Sequence, residues 1–117
     1  MSEPLDPTLT VAPTDGGLTL TLTVENGGPD AVEFSFSDGQ RAEFVARDAE
    51  GDEVWRWSDG RAFAMALGSE TVEPGATVEY EGEWTSPEPG EYEVVGSLAA
   101  TDAEAAASMT VVVPGEK

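Results

Sequence analysis

A chain of 117 residues fits one domain with one core. It contains no cysteine and no histidine, which excludes disulfides, thiolate and imidazole metal ligands, and a Ser-His-Asp triad. Twenty-four Asp and Glu face five Lys and Arg, a formal net charge of −19, and no basic stripe exists to neutralise phosphates, so nucleic acid is not an expected partner.

Taken in order, the segments are short, β-rich and separated by turn residues. Residues 8–12 predict an edge strand ended by Pro13. The run Leu18-Thr19-Leu20-Thr21-Leu22-Thr23-Val24 alternates with period two, the pattern of a half-buried strand. The Glu25-Asn26-Gly27-Gly28-Pro29-Asp30 loop breaks it. Residues 31–37 follow, with Val32, Phe34 and Phe36 inward, and Asp38-Gly39 turns the chain. Residues 40–47 place Ala42, Phe44 and Ala46 on one face. An acidic turn, 48–52, leads to the aromatic strand 53–57. Residues 61–67 are ambiguous, since Ala, Met and Leu also suit a helical turn; an irregular connection or a short strand is the preferred reading.

After Pro74-Gly75, residues 76–84 alternate again, with Val78, Tyr80 and Trp84 inward and Glu79, Glu81 and Glu83 outward. Residues 91–100 carry Tyr92, Val94 and Leu98 inward. Residues 101–106 read as a loop, 107–113 as the last strand, and 114–117 as a tail. Seven to nine strands with turn signals every ~8–12 residues predict an all-β, immunoglobulin-like antiparallel β-sandwich, one domain over residues 1–117. Pro89-Gly90-Glu91-Tyr92 resembles the tyrosine corner of such sandwiches, where a hydroxyl ties back to nearby backbone.

The charge carries its own expectation. An acidic surface with Lys117 as its one lysine repels itself in ordinary saline. At about 1 M salt the Debye length falls to roughly 3 Å and that repulsion is screened. The composition therefore points to a salt-rich cytoplasm, that of a halophile. The opening residues have no basic stretch followed by an apolar one, so no signal peptide is expected. No apolar run reaches the ~20 residues that cross a bilayer, so no membrane partner is expected.

Few constellations could carry chemistry. The turn Asp48-Ala49-Glu50-Gly51-Asp52-Glu53 packs four carboxylates around a glycine, but its spacing does not match an EF-hand loop, so it reads as a solvated turn. No cofactor, no metal and no enzymatic activity are expected. Four arginines, Arg41, Arg47, Arg56 and Arg61, fall in one stretch of an otherwise acidic chain. Either each pairs with neighbouring carboxylates or covers an aromatic ring, or together they make a less anionic face for a partner. Trp55 and Trp57 share one face of their strand, opposite Arg56, and are expected in the core. An exposed ring there would instead anchor a partner.

A resemblance enters at these motifs. The run Ser37-Asp38-Gly39-Gln40-Arg41-Ala42-Glu43-Phe44-Val45, with Asp48, Gly51, Val54-Trp55-Arg56-Trp57-Ser58, Arg61 and Phe63, resembles the BsuPI-type intracellular proteinase inhibitor family. Asn26, Pro74-Gly75 and Pro89-Gly90-Glu91-Tyr92 extend it, over roughly residues 18–98. Ala42-Glu43 stands where the family often has Tyr-Asp. The resemblance implies an immunoglobulin-like sandwich and a cytoplasmic inhibitor of a subtilisin-like serine protease. The expected mechanism is steric, a loop held rigid in the substrate cleft. The expected contact residues are Ser58, Asp59, Gly60 and Arg61 of one turn, Gln40 and Arg41 of another, and Arg56. The alternative is an adaptor module of the same fold with no inhibitory activity. A weaker option is a glycan-binding sandwich that uses an exposed tryptophan.

Overall fold

A computed structural model describes residues 5–37, 39–59, 67–101 and 105–114. They form nine strands and no helix: β1 (Leu5–Thr14), β2 (Gly17–Asn26), β3 (Val32–Phe36), β4 (Ala42–Arg47), β5 (Glu53–Arg56), β6 (Gly68–Val72), β7 (Thr77–Thr85), β8 (Gly90–Leu98) and β9 (Ala106–Val113). Every pairing is antiparallel. The orders are β1-β2-β7, β3-β6 and β5-β4-β8-β9.

Alternation decides which face each strand buries. In β2, Leu20, Leu22 and Val24 are fully buried while Thr19, Thr21 and Thr23 stay half-exposed. Phe34 and Phe36 of β3, Phe44 and Ala46 of β4, and Val94 of β8 do the same from the other sheets, so all three sheets share one core. Each fully buried side chain of this size contributes about 1.5–3 kcal/mol. Phe44 lies between two glycines. A Cβ on Gly82 would come 2.9 Å from Phe44 Cδ2 and 2.9 Å from Trp57 Cδ1, and one on Gly96 would come 3.2 Å from Phe44 Cδ1. Small residues on β7 and β8 thus give the ring its slot.

Two polar anchors hold the connections. Asn26 is completely buried. Its Nδ2 donates to the carbonyls of Asp30 and Val72 at 2.8 and 2.9 Å, and its Oδ1 accepts the Gly28 N–H at 3.0 Å. The loop after β2 is thereby tied to the end of β6. Tyr92 Oη donates to the Glu88 carbonyl at 2.7 Å, the backbone tie expected from the motif around it.

Three expectations need correction. Pro13 does not end β1, which runs on to Thr14 and also contains Pro7. β1 is an edge, and Pro7 and Pro13 are six residues apart, so both missing N–H groups fall on the same side of the strand. β6 was not foreseen. It has one buried apolar residue, Val72, and exists because it pairs with β3 from Val32↔Val72 to Phe36↔Gly68. The strand expected over 53–57 ends at Arg56, and a bulge at Ala46/Arg47 leaves Val54 unpaired and exposed. Of the stretch 61–67 only Leu67 is described, without regular structure. Asp38, residues 102–104 of the expected 101–106 loop, and tail residues 115–117 lie outside the described residues.

Candidate functional site

Because β4 and β5 are antiparallel, with Val45 opposite Arg56, the start of one and the end of the other meet at one end of the sheet. Glu43 organises that end. Its Oε1 accepts the Ser58 N–H at 3.1 Å and its own strand's Phe44 N–H at 3.1 Å. Its Oε2 accepts the Ser58 hydroxyl at 2.5 Å and Arg56 Nη1 at 3.2 Å. The Arg56 guanidinium grips Glu53 as well, through Nε at 3.1 Å and Nη2 at 2.8 Å. The hydrogen bond from Arg56 holds the Glu53 carboxyl below its usual range. The bonds to Glu53 and Glu43 push the guanidinium pKa up.

Arg56 is 37% exposed, so these ion pairs add little stability. What they supply is position. The Asp59 N–H donates to the Arg56 carbonyl at 3.1 Å and the Trp57 N–H to the Phe44 carbonyl at 2.9 Å. The Trp57 ring stands edge-on to Phe44 with centroids 6.3 Å apart. Ser58 and Asp59 are thus fastened to the core through β4.

Gln40 and Arg41 lie at the same end, just before β4. Gln40 Nε2 donates to the Ala42 carbonyl at 3.0 Å. The Arg41 guanidinium carbon sits 4.4 Å from the centroid of the Phe36 ring, and its Nη2 would lie 2.7 Å from a Cβ on Gly68. The Arg41 carbonyl accepts the Ala99 N–H, and the Ser35 carbonyl accepts the Thr101 N–H. Segments 39–41, 57–59, 67–68 and 99–101 therefore gather here. Leu67 projects from them, 86% exposed.

Of the residues singled out from the sequence, Ser58, Asp59, Gln40, Arg41 and Arg56 share this end. Gly60 and Arg61 lie outside the described residues. Arg47 does not join them; it ends β4 at the opposite end. Glu43 and Leu67 were missed. Glu43 carries no local mark among the 24 carboxylates of the chain. Leu67 belongs to a stretch whose period could not be assigned.

The acidic turn is structural in its geometry. Asp48 Oδ1 accepts the N–H groups of Glu50 and Asp52, both at 3.0 Å, and Gly51 supplies a φ of +88°. Among the described residues no cluster of carboxylates is arranged to hold a metal ion. Trp55 and Trp57 both pack against the core as partly buried rings, Trp55 with one face stacked on Trp84.

Comparison with known proteins decides the kinship. A family model described as BsuPI, intracellular proteinase inhibitor, matches residues 5–103. The chain belongs to the BsuPI family. By that description a BsuPI protein acts inside the cell, and its partner is a proteinase. The BsuPI match starts at β1 and ends before β9, so it contains the Glu43–Ser58 assembly. Among solved structures, the crystal structure of a penta-heme cytochrome c552 from Thermochromatium tepidum is similar at 12% identity and a TM-score of 0.58. The likeness covers 92% of this BsuPI chain and 40% of that one, and it concerns the fold alone. No curated protein matches. Among the described residues no helix is long and apolar enough to cross a membrane.

Proposed function

We propose that this chain inhibits a subtilisin-like serine proteinase of the cytoplasm by steric occlusion, presenting the end built on Glu43 to the substrate cleft. The observation that carries the reading is the brace on the Ser58–Asp59 turn. Glu43 bonds both the N–H and the hydroxyl of Ser58. A turn ordered in advance loses less entropy on binding. Leu67, Arg41 and Asp59 add apolar and charged contacts around it, and an interface of about 800 Å² per partner is enough. The tie of Tyr92 to Glu88 supports reading the sandwich as immunoglobulin-like.

The test is a titration of an intracellular subtilisin-type proteinase with the purified chain in buffered salt. Proteinase activity is expected to fall to near zero at equimolar inhibitor. Glu43→Ala, with circular dichroism unchanged, is expected to weaken inhibition about tenfold, since the turn is then no longer pre-ordered. Full proteinase activity at about 1 mM inhibitor, where even a very weak complex forms, overturns the proposal.

A further inference from the structure

β5 and β7 are each an edge of their sheet, and the side of the sandwich between them is concave. A hollow of about 490 Å³ there is lined by Trp55, Arg56, Trp57, Asp59 and Glu83, among others. A second, of about 330 Å³, is lined by Trp57, Glu81, Gly82 and Glu83, with Thr19. The two share Trp57 and Glu83 and therefore adjoin. The Glu81-Gly82-Glu83 run builds the junction. A Cβ on Gly82 would come 2.9 Å from Trp57 Cδ1, so glycine is what lets the indole lie against β7, at the residue that separates two exposed glutamates.

The charge of these hollows is uncompensated. Among the described residues the ion pairs join Arg56 to Glu43 and to Glu53. Arg56, the cation that lines the first hollow, is thus already matched, whereas Glu81, Glu83 and Asp59 have no cationic partner among the described residues.

We propose that the adjoining hollows bind an arginine side chain of a protein partner. Half-buried indoles beside unmatched carboxylates suit a side chain that is apolar along its stem and cationic at its head. The flat guanidinium has two properties that a lysine ammonium lacks. It lies against aromatic rings, and it bonds two carboxylate oxygens at once. The first hollow reaches Asp59, next to Ser58 of the braced turn, so the arginine belongs to the part of the proteinase that flanks the occupied cleft. That assignment to the proteinase rests on the inhibitory reading; the site for a guanidinium does not.

Salt gives the site a signature. The attraction between guanidinium and carboxylates is screened, whereas the contact of stem and ring is not. Affinity therefore falls as salt rises and then levels off, and loss of the carboxylates matters most at low salt.

The experiment is a titration of the full chain with a blocked three-arginine peptide, read by tryptophan emission at about 0.1 M and about 1 M KCl. Its three-citrulline counterpart, which keeps the shape and lacks the charge, is titrated in parallel. A saturable change with the arginine peptide alone is expected. Glu81→Gln/Glu83→Gln, with circular dichroism as in the parent, is expected to weaken binding about fivefold or more at the lower salt and less at the higher. Glu25→Gln/Glu79→Gln removes the same charge from the same exposed sheet face, outside both hollows, and is expected to bind as the parent does. No change up to about 10 mM peptide overturns the proposal. So do equal responses to the two peptides, or equal losses in the two double variants.

Inhibition by the same variants separates this site from the reading of the preceding subsection. Weaker inhibition by Glu81→Gln/Glu83→Gln supports the assignment to the proteinase, and unchanged inhibition overturns it. Arginine-peptide binding by a chain that inhibits nothing removes the inhibitory reading and leaves the site standing. Inhibition without peptide binding does the reverse.

Discussion

Trp55 lies flat on Trp84, with ring centroids 5.2 Å apart and planes 15° from parallel. Trp55 is on β5, the edge of one sheet, and Trp84 on β7, the edge of another, so the stack fastens the two sheets at this side. Trp84 in turn takes the edge of Tyr92 at 5.0 Å. The short strand β5, which carries Arg56 and leads into the Ser58 turn, is held to the body of the protein through this contact.

Trp55→Ala is therefore expected to destabilise the chain by about 2–3 kcal/mol, less than a fully buried tryptophan because the ring is half-exposed. Denaturant unfolding at fixed salt measures it. A double-mutant cycle with Trp84→Ala should return a coupling of about 0.5–1.5 kcal/mol. Additive losses would mean that the stack does not join the sheets.

Gly82→Ala is expected to cost about 1–3 kcal/mol, because the added Cβ meets Phe44 and Trp57 at 2.9 Å in a packed core. The same change at Gly51, where no atom lies within 4 Å, should cost only what its φ of +88° imposes. Melting of the two variants side by side checks this. A Gly82→Ala protein as stable as its parent would show that the ring slot has room to spare.

Tyr80 gives a pH prediction. Burial, and then the hydrogen bond its hydroxyl donates to Glu70, push the phenol above its usual value of 10.0. The folded chain keeps a proton that the unfolded chain has released. The contribution is therefore whole below pH 10 and is lost as pH rises toward the folded value. Stability is expected to fall above pH 10, and Tyr80→Phe to flatten that fall. Equal alkaline slopes in the two proteins would remove Tyr80 as its source.

Salt should stabilise the fold. With net charge −19, the chain is expected to melt at rising temperature as KCl increases from about 0.01 to 1 M, over which the Debye length shrinks from about 30 to 3 Å. Differential scanning calorimetry over a KCl series measures it. A flat response would count against a salt-rich cytoplasm as the native setting.

Much of this was legible beforehand for a physical reason. In β2 the alternation of Leu and Thr states by itself which side chains are buried. The same holds for Phe34 and Phe36, for Ala42, Phe44 and Ala46, and for Tyr92, whose hydroxyl tie follows from the Pro-Gly-Glu-Tyr motif. β6 was not legible, because Gly-Ser-Glu-Thr-Val has too few apolar residues to show a period. The role of Glu43 was hidden as well. In a chain with 24 carboxylates, one that bonds a turn 15 residues away has no local mark.

The order of residues alone settled what is local: strand-length alternation, the burying face of each strand, the turns and the acidity that governs response to salt. Which strands share a sheet, that β1 tolerates two prolines, and that Glu43 rather than the arginines organises the loop end were decided only in three dimensions. Those facts rest on contacts between distant segments, and such contacts exist only once the sheets have paired and packed.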